Sequence, residues 1–286
     1  NGRTGQGSTA SVGSAPGNTA SDGIAVPLVG GANAMQVATG HTHACALLDN
    51  GQAQCWGSSA HGATGYDQTA VDYGASSAAS DGGAVGTLMA KKVISLNCGD
   101  GFTCLLLEGG VVQCFGRGAD GRTGHGNTAD TGGSPGAPST QYGAVPIVNG
   151  QRVVQVSTGA AHACVLLASG GVQCWGSGAD GRLGYGNTDS IGDDEAADAG
   201  GLVPRFAGVP VVSISAGGAH TCAMLVTGFV TCWGSGANGR LGLESTANVG
   251  DSGGVSGHFV RLPGHAQQRR ELVAAGEQFT CLVLRD

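Results

Sequence analysis

The chain has 286 residues, 56 of them Gly, with 41% apolar and only 12% charged residues. A net charge of −7, with Lys present only as Lys91 and Lys92, leaves no basic stripe to track a phosphate backbone, so a nucleic-acid partner is excluded. The glycines follow no G-X-Y period, which excludes collagen; the apolar content excludes a disordered tail; and no apolar run reaches the roughly 20 residues of a membrane span.

In chain order, Asn1 opens a Gly-punctuated segment, NGRTGQGST, that returns as GADGRTGHGNT from Gly118, GADGRLGYGNT from Gly178 and GANGRLGLEST from Gly236. The chain thus starts inside a repeat, and we read it as a piece of something longer. An extended segment follows, marked by Val26-Pro27 and later by Val145-Pro146 and Val203-Pro204. A short apolar run, such as Val153 to Val156 or Val211 to Ile214, then leads into a near-constant block. That block reads GHTHACALLDNGQAQCWG from Gly40, GDGFTCLLLEGGVVQCFG from Gly99, GAAHACVLLASGGVQCWG from Gly159 and GGAHTCAMLVTGFVTCWG from Gly217. A fifth copy, GEQFTCLVLRD, starts at Gly276.

The first Cys of each block falls at Cys45, Cys104, Cys164, Cys222 and Cys281, a period of about 59 residues. Each block predicts a β-hairpin, because Cys45, Leu47 and Cys55 alternate as one buried face of a strand. The turn is centred on Asn50, Gly109, Ser169 or Thr227, followed by Gly51, Gly110, Gly170 or Gly228. Glycine closes a three-residue hairpin loop in the left-handed region, where it has no Cβ to clash. This register pairs Leu48 with Gln52 and sets Cys45 opposite Cys55. Four short strands per repeat predict an all-β fold of four-stranded propeller blades. The boundaries are 1–39 for the end of a preceding repeat, 40–98, 99–158, 159–216 and 217–275 for complete repeats, and 276–286 for the start of another.

Eight of the ten Cys fall into a C-x9-C pattern: Cys45 with Cys55, Cys104 with Cys114, Cys164 with Cys174, Cys222 with Cys232. Zinc knuckles with C-x2-4-C spacing are missing. Directly opposed strand residues lie about 4.5–5.5 Å apart, within disulfide reach. Four intra-hairpin disulfides are the expectation, with buried free thiols as the alternative. Cys98 and Cys281 are left unpaired, the partner of Cys281 lying outside the chain. Repeated disulfides imply an extracellular, cell-surface or periplasmic setting.

The order Gly, two residues, His, Ala or Thr, an apolar pair, a Gly turn, Cys-Trp-Gly and then Gly-Arg-Leu-Gly resembles the regulator of chromosome condensation repeat. The resemblance covers essentially the whole chain and implies a β-propeller, in that family usually of seven blades, of which about five repeats are present here. The Cys pairs and the long Ser-, Ala- and Asp-rich loops depart from the family pattern.

Candidate chemistry is sparse. His43, His162 and His220 share a repeat position with Phe102 and Phe279, which marks a packing position rather than a metal ring. Trp56, Trp175 and Trp233, with Phe115 as their equivalent, read as aromatics packed between blades. The GxGxxG-like strings, such as Gly176 to Gly181, precede no readable helix and are turns rather than phosphate loops. Arg122, Arg182 and Arg240 are expected to bridge backbone or acidic groups. In the most acidic loop, Asp189, Asp193, Asp194 and Glu195 are a candidate Ca²⁺ set without the EF-hand spacing, weighed against plain solvated charge. No catalytic residue and no cofactor site is identified.

The leading functional reading is a non-enzymatic extracellular binding or structural module. It presents the variable loops 69–83, 128–142 and 246–257 to a protein partner or to further copies of itself. One alternative is a secreted enzyme inhibitor, against which the 5% aromatic content counts. Another, implied by the resemblance, is guanine-nucleotide exchange on a small GTPase, which needs a reducing compartment.

Overall fold

A computed structural model describes residues 2–11, 25–204, 208–255, 257–260 and 269–285. Parts of the expected first and fourth segments, at 12–24 and 261–268, lie outside these residues, as do Asn1, Ser256 and Asp286. The described elements are strands and single-turn 3-10 helices, and no helix is long and apolar enough to cross a membrane.

Among the described residues, five antiparallel sheets recur along the chain. The first is β1 (Ala34–Thr39), β2 (His43–Leu48) and β3 (Ala53–Gly57). The second is β4 (Val93–Cys98), β5 (Phe102–Leu107) and β6 (Val111–Gly116). The third is β7 (Val153–Thr158), β8 (His162–Leu167) and β9 (Val172–Gly176), and the fourth β10 (Val211–Ala216), β11 (His220–Leu225) and β12 (Val230–Gly234). The fifth holds β13 (Arg269–Ala275) and β14 (Thr280–Arg285).

The hairpins form in the expected register. Cys45 faces Cys55, and Leu48 N–H donates to the Gln52 carbonyl at 2.9 Å. Gly51 sits at φ 82° and closes the turn by donating to the Leu48 carbonyl. A side chain there would be strained by its backbone alone.

Where a fourth strand is expected, the chain makes a single backbone bond. Val85 N–H donates to the Ala53 carbonyl, Val145 to Val112, Val203 to Val172 and Val260 to Val230. Pro146 and Pro204 follow two of these valines directly, and a residue without an N–H cannot donate to a ladder. At all four positions the expected fourth strand is reduced to one anchoring contact.

The chain divides into two compact units. One comprises Asn1–Glu108, Gln113–Arg117 and Ala129–Ala144; the other comprises Gly109–Val112, Gly118–Thr128 and Val145–Asp286. Within the first, the sheet of β1 packs on that of β4; within the second, β10 packs on β8 at one face and on β13 at the other. A side-chain amide joins the sheets where no ladder runs. Gln36 Nε2 donates to the Leu96 carbonyl at 2.9 Å and its Oε1 accepts from Leu96 N–H. Gln155 does the same with Ile214. A primary amide offers the donor and acceptor of a peptide group, so it stands in for a strand residue.

Candidate functional site

Each first strand carries a bulge, at Met35, Ile94, Val154, Val212 and Glu271. The extra residue turns its side chain outward. The first four are apolar, and between 46% and 70% of each is exposed. The central strands are the opposite: every residue of β2, β5, β8 and β11 is buried.

In the structure Cys45–Cys55, Cys104–Cys114, Cys164–Cys174 and Cys222–Cys232 are bridged, with Cα atoms 4.0–4.1 Å apart and ten residues of separation. Cys98 is a buried free thiol and Cys281 an exposed one. Burial pushes the Cys98 thiol up to about 12, which suits a small core residue rather than a nucleophile.

The three histidines do more than pack. His43 Nε2 meets Thr103 Oγ1 at 2.8 Å, His162 meets Thr221 at 2.8 Å and His220 meets Thr280 at 2.9 Å, each on the next sheet. Each Thr hydroxyl in turn donates to a carbonyl, of Ala63, Arg182 or Arg240. A hydroxyl has one proton. The histidine must therefore donate from Nε2, which leaves Nδ1 as a buried, unpaired acceptor in all three. Burial holds His43 down to about 4, His162 to about 3 and His220 to about 4, so all three are neutral near pH 7. The sequence signal overlooked was phase: His43, His162 and His220 are each followed one repeat later by Thr, whereas Phe102 is followed by Ala163.

The aromatic after the second Cys fills a slot in the preceding repeat. Trp56 Nε1 donates to the Arg3 carbonyl at 3.0 Å, Trp175 to Arg122 at 3.1 Å and Trp233 to Arg182 at 3.0 Å. The ring rests over a glycine: a Cβ on Gly124 would lie 2.9 Å from Trp175 Nε1, and one on Gly184 2.8 Å from Trp233 Nε1. The arginines brace the turn beneath. Arg122 and Arg182 bond the carbonyls of Ala119 and Ala179 and pair with Asp120 and Asp180 at 2.7 and 3.1 Å. Arg240 bonds the Ala237 and Glu277 carbonyls.

The long loops return to the sheet that precedes them. Gly57 N–H donates to Tyr73, Gly116 bridges Thr131, Gly176 bridges Ile191 and Gly234 bridges Val249. In the 69–83 loop Tyr73 stacks edge-on against Tyr66, whose hydroxyl accepts from Cys55 N–H and points its one proton between the Cys55 and Gly83 carbonyls, at 2.9 and 3.1 Å. In the 128–142 loop Asp130 meets His61 at 2.6 Å, and Asp67 caps Ser139. In the 246–257 loop Asn248 reaches Asp180. The loops present surface, but on anchored stems.

Of the acidic candidates, Asp193, Asp194 and Glu195 bring carboxylate oxygens within 4.8 Å of one another. Burial and a hydrogen bond shared with Asp194 raise the Glu195 carboxyl. Asp189 does not belong to this group; its N–H donates to the Asn187 side chain. A second group, His43, Cys45 and Cys98, includes a disulfide sulfur that cannot act as a thiolate ligand.

Family models of the regulator of chromosome condensation (RCC1) repeat match residues 36–63, 93–122, 153–182 and 211–240, and again 169–224. The chain belongs to the regulator of chromosome condensation repeat family. Its fold is the RCC1-type β-propeller. It superimposes on Prp20p of Saccharomyces cerevisiae with a TM-score of 0.67 and 18% identity, over 91% of this chain and 57% of that one. It also matches the ectodomain of the Physcomitrella patens receptor kinase CR4, with a TM-score of 0.50 and 20% identity, over 89% of this chain and 50% of that one. In sequence it is 32% identical to the ultraviolet-B receptor UVR8 of Arabidopsis thaliana over 198 residues, 68% of this chain and 40% of the receptor. The human probable E3 ubiquitin-protein ligase HERC3 is 29% identical over 88% of this chain but 23% of the ligase. The chain thus spans well under half the length of these two relatives.

Proposed function

We propose that this RCC1 propeller is a non-enzymatic binding module working in an oxidising compartment, outside the cell or at its surface. The observation that supports this is the disulfide set. Four bridges, all buried and all at one repeat position, persist only where glutathione and thioredoxin do not reduce them. The CR4 ectodomain carries the same fold at a cell surface. The buried histidines serve the scaffold, engaged with threonines in sheet-to-sheet bonds. Contact is assigned to the anchored loops 69–83, 128–142 and 246–257, and the ligand class is protein: Prp20p of Saccharomyces cerevisiae binds Gsp1p and histones and forms a complex with Kap60.

The test is alkylation of native material under denaturing, non-reducing conditions, followed by mass mapping. Labelling of Cys98, with the eight cysteines of the four bridges protected, is the expected result. Ten labelled cysteines in freshly isolated protein would sink the extracellular reading and favour an intracellular regulator. Cross-linking from single loop positions should then capture a partner that loop replacement abolishes.

A further inference from the structure

The five first strands end on Thr39, Cys98, Thr158, Ala216 and Ala275, which pair alike with the hairpins that follow them. The cysteine among them lies against the first hairpin. One ring nitrogen of His43, Cys45 Sγ and Cys98 Sγ all lie within 4.8 Å of one another. The Thr103 hydroxyl sits among them, 2.8 Å from His43 Nε2 and 3.9 Å from each sulfur. Cys55 joins the set through its bond to Cys45. The other two histidine hairpins, those of His162 and His220, are followed by Ala216 and Ala275, which carry no sulfur.

Strand geometry explains the convergence. His43 and Cys45 are two apart on β2 and share a face, and Cys55 stands directly opposite Cys45 on β3. β2 packs on β4, whose last residue is Cys98. All four residues are buried. The Nε2 proton of His43 is engaged by Thr103, and the Nδ1 lone pair has no partner. A metal-bound imidazole gives one nitrogen to the metal and donates from the other to a fixed acceptor, and His43 already has that second half. Three thiolates with one imidazole are a closed tetrahedral set for zinc. With bonds of about 2.3 Å its sulfurs stand about 3.8 Å apart. Opposed strand residues with Cα atoms 4.0 Å apart reach that spacing by turning their side chains.

We propose that opening the Cys45–Cys55 bridge converts this cluster into a zinc site, with Cys45, Cys55, Cys98 and His43 as its four ligands. Opening takes two electrons from a dithiol reductant. One reductant thiolate attacks Cys55 Sγ, and Cys45 leaves as a thiolate with the electron pair. The second reductant thiolate then attacks the first sulfur, releases Cys55 and closes the reductant's own disulfide. Zinc takes the three sulfurs as thiolates, and their protons pass to solvent. The lost bridge within one hairpin is replaced by a staple that also holds β4, so the first two sheets become tied together. Cys98, a bystander in the oxidised protein, becomes a ligand in the reduced one. The site does not depend on the compartment proposed above, because native bridges and zinc uptake after reduction are read separately.

The full chain is reduced without oxygen by a water-soluble phosphine, which ends as its oxide and leaves no competing thiol. It is then titrated with Zn²⁺ against a coloured chelator, and with Co²⁺ as a spectroscopic probe. One tight equivalent per chain is expected, with the absorption bands of a tetrahedral cobalt thiolate, and none in the oxidised chain. Cys98→Ala and His43→Phe, which copy Ala216 and Phe102 at the equivalent positions, should each weaken zinc at least tenfold. Zinc should raise the urea midpoint of the reduced wild type but not that of reduced Cys98→Ala. Reduction opens all four hairpins, so Cys55→Ser without reductant provides a second route. Its other three bridges stay closed, and Cys45, Cys98 and His43 should still take one Co²⁺, lost when Cys98→Ala is added. Dependence on Cys98 in either background upholds the site. Metal binding that ignores Cys98→Ala in both, or no binding in either, would overturn it.

Discussion

The fourth and fifth sheets start from nearly the same text, yet they end in different environments. Every residue of β11 is buried beneath β12, its disulfide and the Trp233 ring. In β14 the equivalent residues alternate between exposed and half-buried; Val283 is 47% exposed, and Phe279, at the position of His220, is 59% exposed. Local sequence therefore makes the strand but does not bury it. Burial comes from the third strand and from the aromatic that strand places in the neighbouring repeat. A repeat of this family is one part of a continuous core and is completed by its neighbours.

That contrast can be broken most sharply at the aromatic. Trp233→Ala should cost about 3–5 kcal/mol and make the fourth sheet resemble the fifth, read as a fall in the urea midpoint at unchanged slope. Next comes a matched pair of leucines. Leu225→Ala, at a buried position, should cost about 2–4 kcal/mol, and Leu284→Ala, at the equivalent half-buried one, less than half of that. If the two cost the same, the fifth sheet is buried as fully as the fourth. The disulfide gives a smaller difference: replacing Cys222 and Cys232 together by Ala should cost about 2–3 kcal/mol, whereas Cys281→Ala should fall within about 0.5 kcal/mol of wild type.

Acid should act through the histidines. Their folded pKa values lie below the ordinary 6.5, so the unfolded chain binds protons that the folded chain refuses. The stability they contribute is complete above pH 6.5 and falls as pH drops from there toward 3–4. At pH 5 the loss is about 2 kcal/mol for each of the two most buried, His43 and His162. The double replacement His162→Phe with Thr221→Ala copies the Phe102 and Ala163 combination found elsewhere in the chain. Urea midpoints at pH 7 and pH 5 should then differ by less than in the wild type. An unchanged difference would mean that His162 is not the proton-refusing group.

Much of this was legible in the sequence because it is local. The C-x9-C spacing, the glycine one past the turn centre and the period-two apolar pattern act within about a dozen residues, and each led to the observed hairpin register. The His–Thr pairs span 59 or 60 residues, so that no window containing one hairpin reveals them. They emerge only when repeats are read in phase with their successors. Loop anchoring was hidden for a different reason: the backbone makes the contact, and the residues that return to the sheet, Tyr73, Thr131, Ile191 and Val249, share little beyond the glycine that follows each. The fourth strand was overestimated where a proline interrupts the ladder. Asp189 was grouped with Asp193, Asp194 and Glu195 because they are close in sequence, whereas its carboxylate lies apart from theirs.

Every bridge closes a ring of only ten residues' separation, which bears on how the eight bridged cysteines find their partners. A loop of that length meets its own ends within about 10–100 ns, far sooner than segments a repeat apart. Correct pairing then needs no guidance from the finished fold, and each hairpin can oxidise while the rest of the chain is still being made. The same locality means that no sulfur bond ties one sheet to the next, so resistance to being peeled apart rests on the apolar side chains packed between sheets and on the glutamine, histidine and tryptophan contacts beside them.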